Sequence, residues 1–299
     1  MPHYTHLRVH RLQDVLFVTL NSPATRHALS PEMTAELYQV STLIQADLSL
    51  RAVVLRGSQG FFCAGGNIGS FQSRLDAHVQ SAPQQIQDLK QDPIAARNRE
   101  FGKFLELWSA LPVPIIAVVE GAAMGGGMGL ACTADVVLAT EGAKFGLTET
   151  TLGIIPAQIA PFVRARIGRR NALRLGMFGE QVSGPQAVAL GLVDELAADS
   201  QALDERLAHW LTRMCRCAPR ANQALKHLFR GNDGVAAASL SQTLDAAARS
   251  FSDCMRDEGP EGIAAFKERR SARWQVTFDA EQIRHALNSD AATPLPPSP

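Results

Sequence analysis

An α/β core followed by a helical region is the fold class this sequence predicts, and three features carry the prediction. Short β-branched runs recur through the first half: "VLFVTL" (15–20), "AVVLRG" (52–57), "IIAVV" (115–119) and "VVLA" (136–139). Longer segments of helical character separate them, the alternation expected of strands and helices layered together. Beyond about residue 155 the strand signals fade, and "PFVRARIGRRNALRLGMF", "DERLAHWLTRMCRCA" and "SLSQTLDAAARSFSDCM" read as amphipathic helices. The predicted division is a core over residues 1–200, a helical region over 201–288, and a disordered Pro-rich tail, "SDAATPLPPSP", over 289–299.

Taken in order, the N-terminal "MPHYTHLRVHRLQDV" lacks the apolar stretch of a secretory signal. No later segment reaches the roughly 20 apolar residues needed to span a bilayer, so a cytoplasmic protein without a membrane partner is expected. "SPEMTAELYQVSTLIQ" (30–45) starts with a capping Ser and a Pro at the first helical position, and Met33, Leu37, Val40 and Ile44 recur at helical spacing. The polar, Gln-rich stretch 70–98 reads as a mobile loop or marginal helix beside a site.

Twenty-nine Lys and Arg balance 29 Asp and Glu in the 299 residues, so no global field recruits nucleic acid or anionic membrane. The five cysteines (Cys63, Cys132, Cys215, Cys217, Cys254) are odd in number and form no C-x-x-C pair, which reads as reduced, mostly buried thiols. His3, His6 and His10 lack clustered partners, so no metal site is expected. No G-x-S-x-G nucleophile elbow is present.

The chemistry-bearing signals are two glycine-rich loops, each following a strand: "GSQGFFCAGGNIGSF" (57–71) and "EGAAMGGGMGLACTADVVLA" (120–139). Bare backbone at a strand-to-helix junction turns sharply and leaves N–H groups free to donate to an anion or oxyanion, although glycines also serve close packing. The second loop is neither a dinucleotide fingerprint, because Leu130 or Cys132 falls where a glycine is needed, nor a P-loop, because no G-K-[ST] follows. Two such loops can converge on one oxygen.

In order and spacing, "FFCAGGNI", "GAAMGGGMGLACTADVVLA" and "AKFGLTETTLGIIPA" resemble the enoyl-CoA hydratase/isomerase (crotonase) superfamily. The likeness runs from about residue 5 to 275 and includes "LNSPATRHALS" and "EGPEGIAAFKERR". It implies a crotonase-like fold of repeated ββα units, with a C-terminal helical region that assembles homotrimers or hexamers built as dimers of trimers. It also implies an acyl-CoA substrate whose thioester carbonyl sits between the N–H groups of Gly66 and Gly126, with no metal and no cofactor beyond the coenzyme A of the substrate. Arg26, Ala28, Ala64 and Ile68 match positions lining the nucleotide end of coenzyme A, while His27 stands where an asparagine is common.

Two departures shape the functional expectation. Family hydratases commonly carry one glutamate two residues after the glycine triplet and another in an F-G-x-x-E segment; here the first position is Gly129 and the second is Glu149. Glu149 is then the sole glutamate of the site, its pKa raised by an apolar acyl pocket. Where relatives often show "PGAGG", this chain has "IPAQIAPF", which brings Gln158 near the pocket as a holder of water or of a polar group. Asp135 and Glu120 are expected to be structural. Hydration of a 2-enoyl-CoA, branched or glutaconyl-like, is the first expectation, since "GLTETTLGIIPA" is similar to the glutaconyl-CoA hydratases, including the isohexenylglutaconyl branch. Double-bond isomerisation with one carboxylate is the alternative. A non-catalytic or RNA-binding role, suggested by the basic cluster "RARIGRRNALR" (164–174), ranks third.

Overall fold

The computed structural model describes residues 4–66, 92–230 and 240–288. Nine strands are present among them: β1 Leu7–Leu12, β2 Val15–Leu20, β3 Ala52–Gly57, β4 Ile115–Val119, β5 Ala122–Met124, β6 Val136–Thr140, β7 Lys144–Gly146, β8 Gln181–Ser183 and β9 Glu195–Ala197. Six form the main sheet in the order β1-β2-β3-β4-β6-β9; β1 pairs antiparallel to β2, and the remaining pairs are parallel. A small second sheet has the order β5-β7-β8. All six residues of β2 and all five of β4 are buried, which is why these parallel strands read as unbroken apolar runs in the sequence. The three-residue strands β5, β7, β8 and β9 are too short to show any periodicity.

The described helices are α1 Pro31–Ala46, α2 Pro93–Ser109, α3 Gly126–Cys132, α4 Ala160–Phe178, α5 Gly184–Ala189, α6 Ser200–Met214, α7 Pro219–Arg230, α8 Leu240–Arg256, α9 Gly259–Glu268 and α10 Ala280–Asn288. Helix α1 forms as its sequence foretells: the Ser30 hydroxyl accepts the Met33 N–H at 3.2 Å, Pro31 opens the first turn, and Met33, Leu37, Val40 and Ile44 are buried. The expectation of a loop or marginal helix over 70–98 needs correction at its end. Residues 67–91 lie outside the described part, but a regular helix starts at Pro93, capped by Asp92, whose Oδ1 accepts from Ile94 N–H (2.9 Å) and Ala95 N–H (3.0 Å). Its apolar anchors, Phe104, Leu105 and Trp108, lie beyond the polar stretch, so the stretch alone concealed them.

The alternation of side chains along the strands sorts the core into two layers. Leu16, Val18, Leu20, Val53, Leu55, Ile115, Ala117 and Val119 share one cluster with α1 through α4. Val15, Phe17, Val54, Ile116, Val118 and Leu138 share the other with Leu203, Leu207 and Leu211 of α6 and Ile283 of α10. Helices α7, α8 and α9 instead leave Leu225, Phe229, Leu244, Phe251 and Phe266 exposed. No helix among the described residues is long and apolar enough to cross a membrane. Cys63, Cys132 and Cys215 are buried free thiols, as expected, while Cys217 is exposed and Cys254 half-buried. Burial pushes the Cys63 and Cys132 thiols up to about 12, so both are inert at neutral pH.

Leu37 sits with no exposed surface at the centre of α1. Leu37→Ala is expected to lower the unfolding free energy by about 3 kcal/mol, the usual range for emptying a leucine site, as read by urea denaturation with an unchanged m-value.

Candidate active site

The site grows out of the carboxyl edge of the main sheet, where β3 and β4 release neighbouring segments. The segment leaving β3 pairs with the one leaving β4: Phe62 N–H donates to Glu120 O (2.9 Å), Cys63 N–H to Ala122 O (2.9 Å) and Met124 N–H to Cys63 O (3.0 Å). A third segment joins on the other side through Ala64 N–H to Arg26 O (2.9 Å) and Leu29 N–H to Gly65 O (2.7 Å). Three loops distant in sequence thus lie side by side as short parallel ladders, with Leu29 bridged to Gly66 and Cys63 to Ala123.

This pairing brings Gly66 and Gly126 together. A Cβ placed on Gly126 would stand 3.7 Å from the Gly66 nitrogen, with Leu29 Cδ1 at 3.1 Å and the Phe101 ring at 3.6 Å closing the remaining sides. Gly126 is the first residue of α3, so its N–H has no acceptor within the helix. Each glycine of the run answers a different close approach. A side chain on Gly125 would meet Glu149 Oε1 at 2.8 Å, and Gly125 has φ of 47°. One on Gly127 would meet Cys63 O at 2.6 Å.

Glu149 opens a 3-10 turn (Glu149–Leu152) just after β7, which is fixed against the glycine run by Gly125 N–H donating to Gly146 O at 2.8 Å. Its Oε2 is buried and has no hydrogen-bond partner among the described residues. Desolvation raises its pKa, opposed in part by its own backbone N–H. A carboxyl in that condition has the basicity and the vacant acceptor that a proton-transfer group needs.

Gly129 gives the sharpest answer. A Cβ there would lie 2.1 Å from Ile159 Cγ2 and 2.4 Å from Ile159 Cβ, so the space where related hydratases carry a second glutamate is filled by a buried isoleucine. Sequence reasoning singled out the neighbour Gln158 and missed Ile159; the departure "IPAQIAPF" was the available signal. Gln158 is half-buried against α2: its Nε2 donates to Asn98 Oδ1 at 2.9 Å, and its Oε1 occupies the space a side chain on Gly102 would need.

Among the residues matched to the nucleotide end, Arg26 is exposed and stacks on the Phe61 ring, 5.6 Å from its centroid, while Ala28 is buried and Ala64 half-buried on the paired loops. Ile68 lies outside the described residues. His27 is buried; its Nδ1 accepts the Ser22 N–H and its Nε2 donates to Ser58 O, both at 2.9 Å, and burial lowers its pKa. The neutral ring is a clip between two loops.

The residues set aside as structural are so placed. Asp135 accepts Ile115 N–H at 2.7 Å and Lys226 Nζ at 2.6 Å, and Glu120 is buried in an ion pair with Arg56. The basic cluster 164–174 is partly consumed within the fold. Arg166 bonds to Leu192 O, Ala134 O and Asp194, and Arg174 pairs with Glu180.

Two neighbouring backbone amides beside a desolvated carboxyl, at the carboxyl edge of a parallel sheet, form an arrangement able to stabilise a developing oxyanion while a proton moves. Residues 10–277 match the family model described as enoyl-CoA hydratase/isomerase. The 2,3-dehydroadipyl-CoA hydratase of Escherichia coli is 33% identical over 89% of this chain and 97% of its own. Among solved structures, AtuE of Pseudomonas aeruginosa is 42% identical with a TM-score of 0.82, covering 91% of this chain and 100% of its own. An enoyl-CoA hydratase/isomerase from Marinobacter aquaeolei is 40% identical with a TM-score of 0.82, over 91% and 99%. The chain belongs to the enoyl-CoA hydratase/isomerase family and has its mixed α/β, crotonase fold.

Because Ile159 fills the site up to its Cβ, Gly129→Glu is expected to destabilise the protein and to add no hydration activity. Gly129→Ala alone should cost about 2 kcal/mol, as overpacking does. A stable Gly129→Glu protein with raised turnover on a straight-chain enoyl-CoA contradicts this geometry.

Proposed function

We propose that this enzyme hydrates a 2-enoyl-CoA through an enolate, with Gly66 and Gly126 as the amide donors to the thioester oxygen and Glu149 as the only carboxyl that moves protons. The observation that carries the reading is the Glu149 Oε2, buried without a partner in a side chain that approaches Gly125, the residue before the Gly126 donor. One carboxyl suffices for the balance. As carboxylate it takes a proton from water while the oxygen adds to C3; the C2=C3 pair becomes the C1=C2 bond of the enolate and the carbonyl pair moves onto the thioester oxygen. As the carbonyl re-forms, C2 uses the released pair to take that proton back from the same carboxyl. Each amide donor can be worth ~3 kcal/mol in the transition state.

Arg26, Ala28, Ala64 and Ile68 are proposed to line the nucleotide end of coenzyme A, and no metal or further cofactor enters these steps. The relative named a 2,3-dehydroadipyl-CoA hydratase favours hydration, and an acyl group ending in a second carboxylate, over isomerisation. That supports the glutaconyl-like reading. Double-bond isomerisation uses the same three groups, with Glu149 carrying a proton between C2 and C4.

The exposed apolar residues of α7–α9, together with Leu152, Ile155, Met177 and Phe178, support the proposed assembly as a trimer or hexamer. Light scattering at micromolar concentration is expected to give three or six chains per particle; a monomer contradicts it.

Glu149→Gln is expected to lower kcat by ~100-fold or more while acyl-CoA affinity falls far less, as when a general acid–base group is removed. The same variant has a stability signature. Burial holds the folded pKa of Glu149 above its unfolded value, so the native state binds the extra proton between the two and the wild type loses stability as pH rises through that window. Glu149→Gln should therefore melt higher than wild type at neutral pH, with the difference vanishing below the ordinary carboxylate range. Near-normal turnover in Glu149→Gln defeats the assignment.

A further inference from the structure

The charged residues at the roots of the two amide-bearing segments have no part in the steps above, yet they are joined and largely shielded from solvent. Arg56 is the penultimate residue of β3, and Glu120 directly follows β4. Both lie on the sheet face that carries Val54 and Val118, away from the substrate side. Arg56 Nη2 donates to Glu120 Oε2 at 2.9 Å, and Nη1 donates to Asp204 Oδ1 at 3.0 Å. The Ser200 hydroxyl donates to Glu120 Oε1, so α6 supplies the remaining partners of both side chains. With Arg56 12% and Glu120 8% exposed, the pair is shielded enough for its geometry to be held.

The place of the pair in the chain ties it to the amides. One residue past Arg56 begins the segment that ends at Gly66, and one residue past Glu120 begins the run to Gly126. The two segments have little slack between them. The Glu120 carbonyl accepts Phe62 N–H at 2.9 Å, and a Cβ on Gly121 would sit 2.7 Å from Gly60 O. A shift of one strand exit relative to the other is therefore passed along the paired segments to the two amides.

We propose that Arg56 and Glu120 are positioning residues that set the separation of the Gly66 and Gly126 N–H groups from the far face of the sheet. The inference rests on those amides being the thioester oxygen donors. It assigns the ion pair a part in transition-state geometry beyond the docking of α6, because an oxyanion donor displaced by a fraction of an ångström loses much of its effect.

The test uses a chromophoric thioester, dimethylaminocinnamoyl-CoA, whose absorption moves to longer wavelength as hydrogen bonds polarise its carbonyl. Glu120→Gln and Arg56→Lys are each expected to lose at least half of the wild-type red shift at saturation. With the natural substrate class, kcat should fall by about tenfold or more while KM stays within about threefold, the split expected of a donor misplaced in the transition state. Lys226→Met serves as the control. It removes the ion pair between the shielded Lys226 ammonium and the exposed Asp135 near the opposite, amino end of β4, and should lower the melting temperature while keeping red shift and kcat. Where Arg56→Lys does not fold, Glu120→Gln carries the test, since the amide keeps the shape of the carboxylate. Wild-type red shift and kcat in Glu120→Gln overturn the proposal, as does an equal loss in Lys226→Met. Absence of any red shift in the wild type overturns the amide-donor reading itself.

Discussion

Everything about this site depends on a short ladder of backbone hydrogen bonds between the segment leaving β3 and the segment leaving β4, from Phe62–Glu120 to Met124–Cys63. The ladder is parallel because its parent strands are parallel, and it extends their pairing past the edge of the sheet. Its geometry fixes the distance between Gly66 and Gly126 before any ligand arrives. Under the proposed function, a preformed pair of donors costs little reorganisation when charge develops, which is the advantage of building such a site from backbone. Just past the ladder, close packing excludes side chains: at Gly125, Gly127 and Gly129 a Cβ would overlap Glu149, Cys63 and Ile159 respectively.

The fold was legible wherever burial on both faces wrote a mostly apolar run, as in β2, β3, β4 and β6, and wherever a cap and a helical stripe coincided, as in α1. It was illegible where elements are three residues long or where an apolar face begins after a polar lead-in, as in α2. The loops of the site were legible as glycine-rich motifs in order. Their convergence was expected as a possibility and through the family resemblance, but the pairings that produce it, between residues 26–29, 62–66 and 122–126, are encoded by no local pattern. The partner of Gly129 was equally hidden: Ile159 lies thirty positions away and looks like an ordinary core residue. His27 reads as a change in a binding loop, and the structure adds that its ring is buried between Ser22 and Ser58.

A single desolvated carboxyl has consequences for both stability and chemistry. Glu149 keeps an unpartnered oxygen out of water, a condition that native proteins tolerate mainly where function requires it. The apolar filling around Gly129 removes the second carboxyl that would otherwise repel it or share its proton. Under the proposed function, the enzyme therefore relies on one group to take and return the same proton, and the amide pair must hold the enolate for the interval between the two transfers.

The route of that proton through Glu149 is open to a direct test. The enzyme is incubated with 2-enoyl-CoA esters in deuterated water, and the products are examined by mass spectrometry and proton NMR. Enolate chemistry at this site predicts a hydrated product carrying one solvent deuteron on C2, formed by the wild type and suppressed in the Glu149→Gln protein. Turnover that leaves C2 free of deuterium, or deuterium incorporation undiminished without the Glu149 carboxyl, contradicts the account.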